Sequence, residues 1–164
     1  MRSLVLALAV ATLPGIAPAS TVTSVLPDAQ LRGAATFRFV GLPIYEARLF
    51  TRSGAPLDWS TDFGIELTYL RNLTENDLVE STMRELERTG EALPLRGQLE
   101  RCYRDVRKGD SFVAVSQGPD RVGFWHNGKR MCTLGYPRIK TRFMAIFVGD
   151  NTRSKSFTRD LKGE

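Results

Sequence analysis

The sequence contains a single histidine and two cysteines in 164 residues. His126, Cys102 and Cys132 have no spacing typical of metal ligands, so a metal centre built from them is excluded as a working idea. A glycine-rich phosphate loop, a nucleophile elbow and a histidine pair are all missing, which removes the common nucleotide-dependent, hydrolytic and zinc-dependent chemistries. His126 precedes Asn127-Gly128 and reads as a solvent-facing hairpin residue, with nothing nearby to orient it as a general base. Internal repeats, low-complexity stretches and a Pro/Gly/Ser linker are absent too, which leaves one domain as the simplest organisation.

Long apolar runs are equally scarce. The strongest runs from Leu4 to Leu13 and covers about 10 residues, whereas a helix needs about 20 to cross a bilayer. It follows Met1-Arg2-Ser3 and is followed by Ala17-Pro18-Ala19. A positive start, an apolar centre and an Ala-x-Ala site in that order predict a cleavable secretory signal over residues 1–19 and a mature domain over 20–164. The expected location is periplasmic or secreted.

Net charge is +5 and is mild for the length. It attracts anions at long range without naming one. A denser basic stretch holds Arg138, Lys140, Arg142, Arg153, Lys155, Arg159 and Lys162. It reads as a solvated face, and no nucleic-acid-binding signature accompanies it, so nucleic acid is not expected as a partner. In an oxidising compartment Cys102 and Cys132 could pair. The favoured reading is two separate buried thiols acting as small apolar groups, Cys102 on a helical face with Leu95, Leu99 and Tyr103 and Cys132 on a strand, with a disulfide as the alternative.

Along the chain, residues 34–41 and 43–50 carry β-branched and aromatic residues on either side of Gly41-Leu42-Pro43, and predict two strands or one bent strand. Residues 64–71 alternate Ile65, Leu67 and Tyr69 against Glu66 and Thr68, the period of a half-buried strand. A helix is predicted from about Thr74 to Thr89, with Thr74 as N-cap, Asp77 three residues on, an apolar stripe of Leu78, Val79, Met83 and Leu86, and Gly90 as the C-terminal stop. Asn72-Leu73-Thr74 also fits the glycosylation acceptor pattern, although the capping role already accounts for Thr74. A second helix follows from Pro94 to Arg104. Three strands begin at Ser111, Arg121 and Lys129, the last two joined by Asn127-Gly128, whose residues tolerate the positive φ of a tight hairpin. The apolar residues of 137–148 suit a buried helix, and a polar helix starts near Asn151. Strands and helices in this order predict an α+β domain with a mainly antiparallel sheet.

The runs LRGAATFRFVGLPIYEARLF, ELTYLRNLTENDLVESTMRELERTG, VGFWHNGKRMCTLG and FMAIFVGDNTRS together resemble the chalcone isomerase-like proteins, in particular their exported bacterial branch. The resemblance spans about Leu31 to Ser156 and rests on spacing and residue character. It implies an open-faced β-sandwich, a large antiparallel sheet with helices on one face and a ligand cleft between them. It also implies an arginine and a hydroxyl-bearing residue that hold a carboxylate or phenolate, matched here by Arg32 and Tyr45. Arg38 is the rival cation if strand alternation turns Arg32 outward, and Tyr69 and Arg71 are second candidates for the same cleft. The polar residues that complete the plant isomerase site have no match in EALPLRGQLERCYRDV. The resemblance therefore implies a non-catalytic binder of a small apolar acid such as a fatty acid. The alternatives are an intramolecular lyase of chalcone isomerase type and a partner-binding envelope protein with a vestigial cleft. No cofactor or metal is implied, and peripheral contact with a membrane is compatible with such a ligand.

Overall fold

The computed structural model describes residues 20–164, so the predicted signal segment lies outside the described residues. Six strands, β1 (Ala29–Phe39), β2 (Leu42–Arg52), β3 (Gly64–Tyr69), β4 (Ser111–Ser116), β5 (Arg121–His126) and β6 (Lys129–Gly135), lie side by side in chain order. Every adjacent pair is antiparallel. The Gly41-Leu42-Pro43 break proves to be a hairpin whose turn falls one residue earlier, at Val40-Gly41, with φ of 48° and 78°. Asn127-Gly128 forms the other tight hairpin, with φ of 47° and 78°.

Alternation along the strands sorts the side chains onto two faces. Ala47, Leu49, Ile65, Leu67, Phe112, Ala114, Val122 and Phe124 face the main core. That core is closed by α2 (Glu75–Arg88), α3 (Arg96–Cys102), α4 (Ile139–Val148) and α5 (Lys155–Lys162). The α2 stripe of Leu78, Val79, Met83 and Leu86 is buried, and Thr74 and Asp77 form a reciprocal capping box at its start. Gly90 does not cap the helix by left-handed backbone; a Cβ there would meet the Arg142 guanidinium at 2.8 Å. It is glycine to make room.

The opposite face is not bare. A short helix that the sequence pattern does not predict, α1 (Thr21–Val25), sets Val22 against Val113, Val115, Phe50 and Trp125. Ser20 caps it, and the Ser20 hydroxyl donates to the buried Glu66 carboxylate, which also pairs with Arg48.

Two readings of side chains need correction. Cys102 and Cys132 are joined in a disulfide between α3 and β6, with Cα atoms 5.1 Å apart. The strand and the helix each placed one cysteine correctly, but their periodicities say nothing about which elements are neighbours in space. The basic stretch is also not a uniformly solvated face. Lys140 is buried and donates to the carbonyls of Trp59 (2.8 Å) and Thr61 (2.6 Å), close to Asp62. Arg142 donates to the carbonyl of Leu86 (2.9 Å) in the last turn of α2 and to that of Glu91 (2.8 Å) beyond its end. Burial lowers the Lys140 pKa, with Asp62 acting the other way. Both side chains supply donors to backbone carbonyls that helix and loop geometry leave unpaired.

Candidate ligand cleft

Cross-strand pairing builds one wall of a cleft. Phe37 lies opposite Tyr45, and Tyr45 opposite Tyr69, so three aromatic side chains stand abreast on the helix-facing side of β1, β2 and β3. The Phe37 and Tyr45 rings stack with centroids 5.1 Å apart, and Phe157 from α5 meets Phe37 edge-on at 5.6 Å. Leu78 and Thr82 from α2 and Phe147 from α4 form the facing wall, and Tyr103 closes the inner end. The cavity between them measures about 380 Å³. Small-molecule sites run from roughly 300 to 1,000 Å³, lined mostly by apolar groups with a few convergent polar ones.

The polar groups inside are phenols. Among the described residues, the hydroxyls of Tyr45 and Tyr69 have no protein hydrogen-bond partner; Tyr69 is only 4% exposed, but its hydroxyl opens onto the cavity. The Tyr103 and Thr82 hydroxyls bond to each other at 3.0 Å. Burial pushes all three phenols up, Tyr103 to about 12 and Tyr45 and Tyr69 further, with the nearby Glu85 charge adding to the effect on Tyr45. They are neutral donors at any physiological pH.

Charge is confined to the rim. Asp77, Ser81 and Arg84 follow one another along the exposed side of α2, and Glu85 and Arg153 face the opening from α2 and the segment before α5. Glu85 is held by Arg88 at 2.7 Å and by Arg153. Burial opposes its charge, but the hydrogen bonds from the two arginines outweigh that and keep its carboxyl below the ordinary value. Arg84 makes no ion pair or hydrogen bond among the described residues.

The sequence candidates separate. Tyr45 and Tyr69 line the cleft, whereas Arg32 does not. Arg32 is the extra residue of a β-bulge between Leu31 and Gly33, and a bulge re-aims a side chain off its strand's alternation. Its guanidinium donates to the carbonyls of Lys162 (2.8 Å) and Gly163 (3.1 Å). That places a cation on the C-terminal end of α5, where the helix dipole favours one. Arg38 lies against the hairpin turn, 3.4 Å from the Gly41 carbonyl, and Arg71 is exposed beyond β3. Neither lines the cleft. His126 is half-buried rather than solvent-facing, stacked on Phe112 and 3.5 Å from Asp110.

The cleft also draws on Arg84, Arg153 and Tyr103, none of which the sequence pattern assigns to a cleft. Tyr103 carries a usable signal, because a tyrosine inside an apolar helical stripe needs somewhere to put its hydroxyl. Arg153 carries none, since its role depends on how α4 and α5 fold back over α2.

No family profile and no curated protein matches the sequence. Comparison of structures does find a likeness, to a fatty-acid binding protein of Arabidopsis thaliana. The two superimpose with a TM-score of 0.62 at 11% identity, over 83% of this chain and 87% of the other. The chain has the chalcone isomerase-like fold. Within that fold the cleft lies where a large antiparallel sheet meets its helical layer.

Proposed function

We propose that this chain is an exported, non-catalytic binder of a small apolar acid such as a fatty acid, held between sheet and helices. The observation that carries the reading is the aromatic-lined cavity whose interior has only neutral polar groups and whose rim bears Arg84, unpaired among the described residues. A carboxylate moved into the interior would lose its hydration with no cation to replace it, which is costly. At the rim it stays partly hydrated and meets Arg84, while the tail takes the apolar interior. The likeness to a fatty-acid binding protein of Arabidopsis supports a ligand of this class. An isomerase reading has less support, because Arg32, the cation it would need, is engaged at the end of α5.

Calorimetric titration with dodecanoic acid and its methyl ester tests this. Arg84→Ala is expected to weaken the acid about five-fold, the scale of a partly exposed charge pair, and to leave the ester unchanged. Equal affinity of the unmodified protein for acid and ester would overturn the placement of the carboxylate.

Peripheral membrane contact belongs to the same proposal. The β1–β2 hairpin exposes Phe39 (54%), Val40 (85%) and Leu42 (52%) at its tip, and Phe39 also lines the cleft. Val40 is β-branched yet holds φ 48°, a conformation such residues rarely adopt. Arg38 stands beside them, so anionic lipid headgroups would meet a cation next to the apolar tip. Sedimentation with anionic phospholipid vesicles is expected to carry the protein down and to fall several-fold in Val40→Ser; unchanged sedimentation would count against it.

A further inference from the structure

Apolar tails need no hydrogen-bond donors, yet the inner end of this cleft presents two that are unspent. Tyr69 is almost wholly buried and Tyr45 half-buried, and neither hydroxyl has a partner among the described residues. Both rings are fixed by packing rather than free to swing to solvent. Tyr45 is stacked on Phe37 and lies edge-on to Tyr69 with centroids 6.2 Å apart, and Tyr69 is flanked by Leu67 on its own strand. A third phenol, Tyr103, is already tied to Thr82 and sits beside the disulfide-bonded Cys102.

Neither hydroxyl is sealed off from the cavity, so water there satisfies each of them until a ligand displaces it. A plain alkyl tail pressed against Tyr69 would exclude water and supply nothing in return. An oxygen on that tail would accept from one or both phenols. Because no cation among the described residues stands beside Tyr69 and Tyr45 in the cleft, a carboxylate there would be desolvated without a counter-charge, so the matching group is a neutral acceptor such as a ketone or hydroxyl oxygen.

We infer that Tyr69 and Tyr45 form an inner polar subsite selecting an oxygenated apolar acid, one carrying a keto or hydroxyl group well along its chain from the carboxylate. This rests on the acid-binding reading for the rim, and goes beyond it in assigning the chemistry of the ligand's other end. The subsite itself does not depend on the rim.

Calorimetric titration with dodecanoic acid, with keto-dodecanoic acids bearing the carbonyl at successive carbons, and with a neutral long-chain ketone separates the two. One keto isomer is expected to bind about ten-fold more tightly than dodecanoic acid, the worth of a good buried hydrogen bond. Tyr69→Phe should erase that advantage, bringing the favoured keto isomer down to the affinity that the same variant shows for dodecanoic acid. The variant keeps the ring and removes an unpaired hydroxyl, so its melting temperature should be equal or higher, which guards against misfolding as the cause. If no acid binds but the neutral ketone does so in a Tyr69-dependent way, the rim reading fails and the inner subsite stands. Absence of any preference for a keto isomer, or equal loss of plain and keto acids in Tyr69→Phe, overturns the inference; the latter would put the carboxyl group itself on the phenols.

Discussion

Reduction of the Cys102–Cys132 disulfide is expected to lower the free energy of unfolding by about 3 kcal/mol. The bond closes a loop of 30 residues, and cross-linking a loop of that length removes roughly 3 to 4 kcal/mol of chain entropy from the unfolded state at 25 °C, less whatever the native state gives back in distortion. For a domain of this size that corresponds to a fall in melting temperature of about 10 °C. Denaturant titration with and without reductant measures it, and a paired Cys102→Ala/Cys132→Ala variant checks that the reductant acts through this bond. An unchanged midpoint in both would mean that the bond contributes nothing measurable to stability.

The bond bears on the proposed export. Disulfides persist mainly in oxidising compartments, and the proposal of export predicts that protein recovered from outside the cytoplasm begins at Ser20 and shows no free thiol on alkylation. Its second consequence concerns the cleft. Cys102 is joined to β6, and the next residue is Tyr103, whose hydroxyl meets Thr82 at the inner end of the cavity. Reduction should therefore loosen ligand binding as well as the fold, and by a smaller factor.

What could be read in the sequence follows from the range over which each signal acts. Period-two alternation located β3 and its inward Tyr69, and the Thr74–Asp77 capping box fixed the start of α2, because both depend on neighbours a few residues away. Asn127-Gly128 marked the second hairpin for the same reason. Tyr45 faces the cleft because its strand neighbours hold it in register. Arg32 does not face the cleft, because a single bulge shifts a side chain out of alternation, and nothing local distinguishes Leu31-Arg32-Gly33 from a regular strand. The disulfide, the burial of Lys140 and the Glu85–Arg153 pair all join elements distant in sequence. The α1 helix is only five residues long, too short for its apolar residues to show a period.

The Arg32 placement leads to the second large effect, a separation of stability from binding. Arg32→Ala removes the guanidinium's hydrogen bonds to the carbonyls of Lys162 and Gly163 and a longer one, 3.5 Å, to that of Gly54, and leaves the end of α5 without its cation. A loss of about 2 kcal/mol in unfolding free energy is expected, since hydrogen bonds to charged groups contribute roughly 1.5 to 3 kcal/mol and these are partly exposed. Affinity for an apolar acid should stay within about two-fold, because no atom of Arg32 lines the cleft. Gly33→Ala acts differently. A Cβ there would lie 2.5 Å from the Leu161 carbonyl oxygen and 2.7 Å from that of Asp160, so α5 has to move as a body. Overpacking of this kind costs about 1 to 3 kcal/mol, sometimes more. Because α5 also carries Phe157, which packs on Phe37 and Tyr45, this substitution should weaken binding as well. Chemical denaturation and calorimetric titration of the two variants side by side give the comparison. If Arg32→Ala abolished binding while leaving stability intact, the arginine would belong to the ligand after all, and the assignment of the carboxylate to Arg84 would fall.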